Sequence, residues 1–337
     1  MEQKIAAYLA ARLAGADAVE VSNLYRIPGG QSRETWSFDA VWRESGVAVS
    51  RGFILRRDPD ASLLESDRNL EFGVMKAMRP LGVPVPEMYW LEEDAAWIDR
   101  PFCMMERIDG CEASPNKVLL DPLMFAARER IAEEFTEILA RIHEVSLQAP
   151  GLAFMGRPPA PEECGMREVA HWEAIVAKES IEPQPVLRAA LRWLCRHQPA
   201  PAQKVVLVHG DYRTGNFLAG ASGEIKAVLD WEMTHLGDPM EDVAWACIRP
   251  WRWMGNEMVG GLMDRGDFFA KYEAASGLTV NPESIRFWEV LGNLKLATIF
   301  LTGGRSYCDG RTRSAMMAFI ARNVRRLELE IMDLMEV

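Results

Sequence analysis

The chain has 337 residues, 49% of them hydrophobic and 26% charged, which suits one large or two smaller domains with a substantial core. Its formal charge of −11 argues against general nucleic-acid binding, which depends on Lys and Arg displacing condensed counterions. No run approaches the roughly 18 apolar residues of a membrane span, so a cytoplasmic protein with neither a nucleic-acid nor a membrane partner is expected.

The N-terminal residues alternate apolar side chains with Glu2, Lys4, Arg12 and Asp17, an amphipathic helix without a signal-peptide core. A β-rich run over 19–27 leads to Pro28, Gly29, Gly30, Gln31, Ser32 and Arg33, and a glycine pair between two β-rich runs reads as a hairpin. Residues 52–57 form another strand, with Arg56 near its end. Residues 66–78 form a helix with Leu70, Val74, Met75 and Met78 on its apolar face. Glu71 lies on that helix and, taken alone, is a solvated charge. Pro84 and Pro86 make 82–86 a stiff connector, and strands follow at 88–91 and 101–105.

Helical spacing of Ile131, Phe135, Ile138, Leu139 and Ile142 predicts a core-facing helix over 128–146, with His143 a structural neighbour of the stripe. Residues 147–184 are rich in Pro, Gly and charge and read as an insertion loop with one short helix over 169–179, placed to shape a pocket. From 282 to the end the pattern predicts two or more helices joined by a glycine-containing linker over 302–310. Arg305, Arg311 and Arg313 make that linker a candidate anion site. The six cysteines, Cys103, Cys111, Cys164, Cys195, Cys247 and Cys308, are scattered without a C-x-x-C pair, which indicates neither a zinc site nor a redox motif.

The most specific signal is at 205–218, Val-Val-Leu-Val-His-Gly-Asp-Tyr-Arg-Thr-Gly-Asn-Phe-Leu. An apolar strand enters a loop carrying Asp211 and, five residues on, Asn216. A second apolar strand over 227–229 delivers Asp230, with Glu232 two residues later. Gly237-Asp238-Pro239 and Asp242-Val243-Ala244 complete the stretch. This layout resembles the protein-kinase fold, where H-R-D-x-x-x-x-N precedes D-F-G. Gly210, in place of the kinase Arg, together with the G-D-P and D-x-A elements, makes the stretch from 209 to 244 resemble the aminoglycoside phosphotransferase family. The wording around Asp211 to Asn216, and Phe53-Ile-Leu-Arg56, is similar to the kinase-like domains associated with acyl-CoA dehydrogenases.

The resemblance implies an α+β bilobal kinase-like fold. An antiparallel five-stranded lobe with one helix, residues 1–106, would bind nucleotide, and a larger, mainly helical lobe, 107–337, would hold the catalytic and acceptor sites. It implies magnesium-dependent transfer of the γ-phosphate of ATP, with GTP as the alternative, to a hydroxyl of a small metabolite. On that reading Asp211 is the base and Arg213 neutralises charge on the transferred group. Asn216 and Asp230 are hard-oxygen magnesium ligands. Gly29, Gly30 and Ser32 place backbone N–H groups near phosphate. Arg56 stands where kinases carry a Lys, with Glu71 as its partner, and Met105, Glu106 and Arg107 form the lobe-connecting hinge against adenine.

His209 would orient the loop, while Asp238 and Asp242 would cap and brace the segment after them. Glu232 would face the acceptor or an outer-shell water. Trp245, Trp251 and Trp253 would pack the large lobe, with lining of an acceptor pocket as the alternative. Two alternatives accompany this reading. One is an aminoglycoside antibiotic kinase. The other, kept open by Arg56 and the absent G-x-G-x-x-G, is a catalytically silent nucleotide-binding regulatory module. Oligomeric state is left open.

Overall fold

Side-chain alternation with a period of two builds a sheet from the first hundred residues. The computed structural model describes residues 1–27, 33–58, 67–253 and 257–336. Helix α1 (Glu2–Arg12) precedes β1 (Ala16–Arg26), β2 (Glu34–Glu44) and β3 (Val47–Arg57); α2 (Arg68–Met78), β4 (Met88–Glu92) and β5 (Phe102–Glu106) follow. The sheet order is β1-β2-β3-β5-β4, every pairing antiparallel. The β2–β3 ladder runs unbroken from Glu34↔Arg57 to Glu44↔Val47. It turns at Ser45 and Gly46, both with positive φ, in the two-residue hairpin whose twist matches that of paired strands.

Alternation also divides the two faces. Phe102 and Met104 of β5 join Phe38, Phe53 and Leu55 against Ile5, Tyr8 and Leu9 of α1. Cys103 and Met105 point the other way, into the core shared by Val74 and Met75 of α2 and the large lobe. Arg56, next to Leu55, therefore leaves β3 on the α2 side.

The large lobe begins with β6 (Cys111–Glu112), α3 (Pro115–Leu120), α4 (Pro122–Phe125) and α5 (Arg128–Glu144). It continues through α6 (Cys164–Glu179), α7 (Pro185–Arg196), β7 (Val206–Val208), β8 (Phe217–Gly220), β9 (Ile225–Val228) and β10 (His235–Gly237). Then come α8 (Met240–Cys247), α9 (Arg265–Ser276), α10 (Pro282–Cys308), α11 (Ala315–Ile320) and α12 (Val324–Met335). Two expectations change here. The stretch expected as an insertion loop contains all 16 residues of α6, whose Val169, Trp172 and Val176 are buried against the core, and runs into α7.

The expected linker over 302–310 is the end of the 27-residue α10 down to Cys308. Gly304 lies in that helix where an added Cβ would sit 2.8 Å from the Ala321 Cβ. The glycine thus serves close packing rather than a chain break. α10 packs against α6, α7, α8, α11 and α12 and forms the spine of the lobe. Among the described residues, no helix is long and apolar enough to cross a membrane.

Candidate active site

The geometry of the candidate catalytic loop follows from two short strands. Strands β8 and β9 pair with Phe217 opposite Val228, and the Leu229 N–H donates to the Asn216 carbonyl at 2.8 Å. Asn216 and Asp230 are thereby delivered to the same end of this hairpin. Asp230 has φ +66°, a left-handed conformation that Asp tolerates better than most side chains. Asp211 is held from three sides. Its Oδ1 accepts from Arg213 Nε at 2.9 Å and from Trp245 Nε1 at 2.8 Å, and its Oδ2 accepts from Asn216 Nδ2 at 2.6 Å.

Asn216 is buried, and its Nδ2 also donates to the Asp211 carbonyl at 2.9 Å. The amide nitrogen is thus turned toward Asp211, which directs Oδ1 away from it as a hard oxygen donor. Partial burial pushes the Asp230 carboxyl up, but Arg56, by charge and hydrogen bond, and then Arg213 and His209 hold it below the usual range. An ionised carboxylate beside an amide oxygen is a donor set that fits magnesium.

Arg56 and Glu71 form the ion pair that strand-then-helix order suggested. The other arm of Arg56, Nη2, donates to Asp230 Oδ1 at 3.1 Å, tying the small lobe to the large. Burial works against the charge on Arg56, yet Glu71, Asp230 and Glu232 raise its pKa overall, so it is a permanent cation. Glu71 is no solvated charge: it is 2% exposed.

The other residues expected on the nucleotide side lie as follows. Gly29, Gly30 and Ser32 lie outside the described residues. Met105 is buried in β5, paired with both Ile54 and Met88. The Glu106 N–H donates to Glu87 O at 2.8 Å and that of Arg107 to Gly52 O at 3.3 Å, so both amides serve the sheet. The Arg107 side chain braces the small lobe through Asp39 at 2.7 Å and Asp109 at 2.8 Å. It lies so close over β3 that a Cβ on Gly52 would meet its Cζ at 2.5 Å.

Around this core the supporting residues take definite parts. His209 accepts the Asp211 N–H on Nδ1 at 3.1 Å and donates from Nε2 to Leu229 O at 3.0 Å. Burial lowers its pKa, in keeping with a neutral, loop-orienting imidazole. Asp242 acts backwards along the chain rather than forwards, accepting the N–H groups of His209 at 2.7 Å and Gly210 at 2.9 Å. His143, as expected, is structural, linked to Asp242 and Tyr272. Asp238 accepts from Met240 N at 2.9 Å at the start of α8. Gly210 has φ +84°, and a Cβ there would stand 2.4 Å from Met233 O, which excludes the kinase Arg from this position.

Three participants were missed. Trp245, expected to pack the large lobe or to line the acceptor pocket, instead donates to Asp211. Lys295 of α10 donates to the Gly210 carbonyl at 2.6 Å, with its ammonium 4.6 Å from the Trp245 ring centroid. Arg33, one residue before β2, reaches Glu71 at 3.2 Å. No local pattern marks any of them; only Trp245, three residues after Asp242 on α8, lies near a motif.

Beside the loop is a cavity of about 470 Å³ lined by Trp172, Glu179, Glu232, His235, Lys295 and Thr302, among others. Glu179 Oε2 is buried without a hydrogen-bond donor, and Arg311 stands 3.6 Å away. His235 Nε2 faces Glu241 at 3.0 Å and Glu168 at 3.5 Å. Although burial works against its charge, these two carboxylates raise its pKa to about 10. The expected arginine cluster does not form an open anion site: Arg305 lies on α10 and pairs with Asp309 at 2.8 Å, Arg311 is shared between Asp309 and Glu179, and Arg313 is exposed.

This combination of a five-stranded lobe, a helical lobe and an Asp–Asn–Asp set at their junction is kinase-like. The model of the phosphotransferase enzyme family matches residues 31–288, and the chain belongs to that family of small-molecule phosphotransferases acting on hydroxyl groups. A solved structure from Ralstonia eutropha, an aminoglycoside phosphotransferase-like protein, matches with a TM-score of 0.76 and 26% identity over 99% of this chain and 98% of its own. A thermostable mutant of aminoglycoside phosphotransferase APH(4)-Ia, in ternary complex with AMP-PNP and hygromycin B, shares the fold at a TM-score of 0.60 and 16% identity, with 98% of each chain covered.

Among curated proteins, mouse acyl-CoA dehydrogenase family member 10 is 33% identical over 240 residues, 70% of this chain and 21% of its own length. The Arabidopsis thaliana probable acyl-CoA dehydrogenase IBR3 is 28% identical over 298 residues, 80% of this chain and 35% of its own. The narrower resemblance to acyl-CoA-dehydrogenase-associated kinase-like domains is thus borne out, and the chain spans about a fifth to a third of these relatives.

Proposed function

We propose that this phosphotransferase moves the γ-phosphate of ATP, with magnesium, to a hydroxyl of a small metabolite in the cytoplasm, the acceptor lying in the cavity beside the catalytic loop. The observation that carries this reading is the placement of Asp211, Asn216 and Asp230 at one end of the β8–β9 hairpin, with Arg56 reaching Asp230 from the small lobe. Asp211, fixed by Trp245, Asn216 and Arg213, is set to orient the acceptor hydroxyl and take its proton. Asn216 Oδ1 and the Asp230 carboxylate would hold magnesium, which supplies charge neutralisation on the phosphates. Arg56 would contribute a permanent positive charge on the nucleotide side, and Arg213 would face charge developing on the transferred group.

The small lobe, residues 1–106, would carry the nucleotide. The Glu106 and Arg107 amides already serve the sheet, so adenine would meet the hinge at its remaining backbone groups, around residues 106–108. The intact carboxylate–amide–carboxylate set favours a working enzyme over a silent module.

The cavity is the natural acceptor chamber because Lys295 lines it and also grips the residue preceding Asp211. Its carboxylates, Glu179 and Glu232 among them, suit an acceptor rich in hydroxyl or other donor groups. The test is an ATP-turnover assay with magnesium against a metabolite extract, with mass spectrometry to find the species that gains a phosphate. Phosphate gain that vanishes without magnesium supports the reading; nucleotide binding with no phosphorylated product points to the regulatory module.

A further inference from the structure

Arg33 is 4% exposed and lies just before β2. Its Nε reaches Glu71 Oε2 at 3.2 Å and its Nη1 reaches Asp58 Oδ1 at 2.7 Å. Glu71 gives its other oxygen, Oε1, to Arg56. Asp58 gives its second oxygen to Arg68 Nη1 at 2.5 Å. Charges therefore alternate without a break through Arg68, Asp58, Arg33, Glu71, Arg56 and Asp230. This line runs from the start of α2, past the entry to β2, to the candidate metal carboxylate.

We propose that Arg33 is a positioning residue of the nucleotide site: by holding the second oxygen of Glu71, it limits Glu71 to one arm of Arg56 and leaves the other arm for Asp230. The inference rests on the nucleotide reading above and concerns a residue that reading does not use. The physical reason is the geometry of a carboxylate between two guanidinium forks. A carboxylate facing a single guanidinium favours the bidentate arrangement, with both oxygens on two parallel N–H groups. A second arginine on one oxygen prevents that, and the first keeps an N–H for a third partner. Without Arg33, Glu71 can take both arms of Arg56 and draw it away from Asp230. Arg33 spans two acceptors with a fixed fork, which an ammonium cannot reproduce with the same geometry.

The test uses the full chain with wild type, Arg33→Met, Arg33→Lys, Glu71→Gln and the Arg33→Met/Glu71→Gln double variant. A fluorescent ATP analogue is titrated at several magnesium concentrations, and steady-state kinetics follow with the acceptor once it is found. Arg33→Met should weaken magnesium-dependent nucleotide binding about tenfold, the scale of one charge-assisted hydrogen bond, and raise the magnesium midpoint. The loss should fall mainly on KM rather than kcat, and Arg33→Lys should recover part of it. Because Arg33 acts through Glu71, the double variant should be little worse than Glu71→Gln alone.

Wild-type magnesium dependence in Arg33→Met, or fully additive losses in the double variant, would overturn the proposal. If Arg33→Met does not fold, Arg33→Lys decides: a raised magnesium midpoint supports the role, and an unchanged one overturns it. A wild-type protein that binds no nucleotide with magnesium would instead remove the underlying reading of the site, a distinguishable result.

Discussion

Asp211 Oδ1 takes two N–H donors and Oδ2 a third, from side chains two, five and thirty-four residues away. Such a side chain cannot rotate without breaking charge-assisted bonds, which is the preorganisation required by the base role proposed for it. The transition state is loose, so placing the hydroxyl matters more than the strength of the base. Asp211→Ala should therefore leave nucleotide affinity within a few-fold and lower turnover by about 10² or more, the usual contribution of a positioned acid–base group. Nucleotide titration and steady-state kinetics on the same preparation separate the two effects. Turnover near the wild-type value would remove Asp211 from the chemistry.

At the scale of the element, the proposed catalytic loop is a strand–loop–strand unit clamped from outside. Asp242 at the start of α8 holds two of its amides, Lys295 of α10 holds its Gly210 carbonyl, and the β8–β9 hairpin closes it. Gly210 is where backbone and neighbour leave no room, with φ +84° and a virtual Cβ 2.4 Å from the Met233 carbonyl oxygen. Gly210→Ala should thus lower stability by about 1–3 kcal/mol, the usual cost of a residue held in a strained backbone region, and shift Asp211 enough to depress turnover. Denaturant unfolding with a parallel activity assay checks both. A variant with unchanged midpoint and turnover would show that the loop relaxes freely, contrary to its clamped geometry.

For the whole molecule, the cluster of His235, Glu168, Glu241 and Lys295 links β10, α6, α8 and α10 next to the cavity. Burial alone would discharge the imidazole, but the two carboxylates raise the His235 pKa to about 10, above its ordinary value near 6.5. A histidine raised in the folded state stabilises fully below its unfolded pKa, and that contribution is lost as pH climbs through the folded value. Melting temperature should therefore fall between about pH 7 and pH 10, and fall less steeply in His235→Gln. Thermal melts of both proteins across that range make the comparison. Parallel curves would mean that the imidazole is neutral in the fold and that Glu168 and Glu241 are balanced by Lys295 instead.

The amino-acid sequence by itself determined the local chemistry of this protein. The order Asp211, Asn216, Asp230 lies within one compact hairpin unit, and the order Arg56, Glu71 lies on a strand and the next helix. Short separations and period-two or helical spacing therefore carry directly into space. The same locality made the five small-lobe strands and the helix of residues 68–78 legible.

Tertiary structure alone decided what closes around that chemistry. Trp245 meets Asp211 across 34 residues, Arg33 meets Glu71 across 38, and Lys295 meets the Gly210 carbonyl across 85. Each is a buried polar contact whose partner no local pattern names. The full lengths of α6 and α10 were hidden for a related reason. Prolines, glycines and charges between 147 and 184, and Gly303 and Gly304 in the tail, signal loops when read locally, whereas packing against the core and the close approach to Ala321 keep those segments helical.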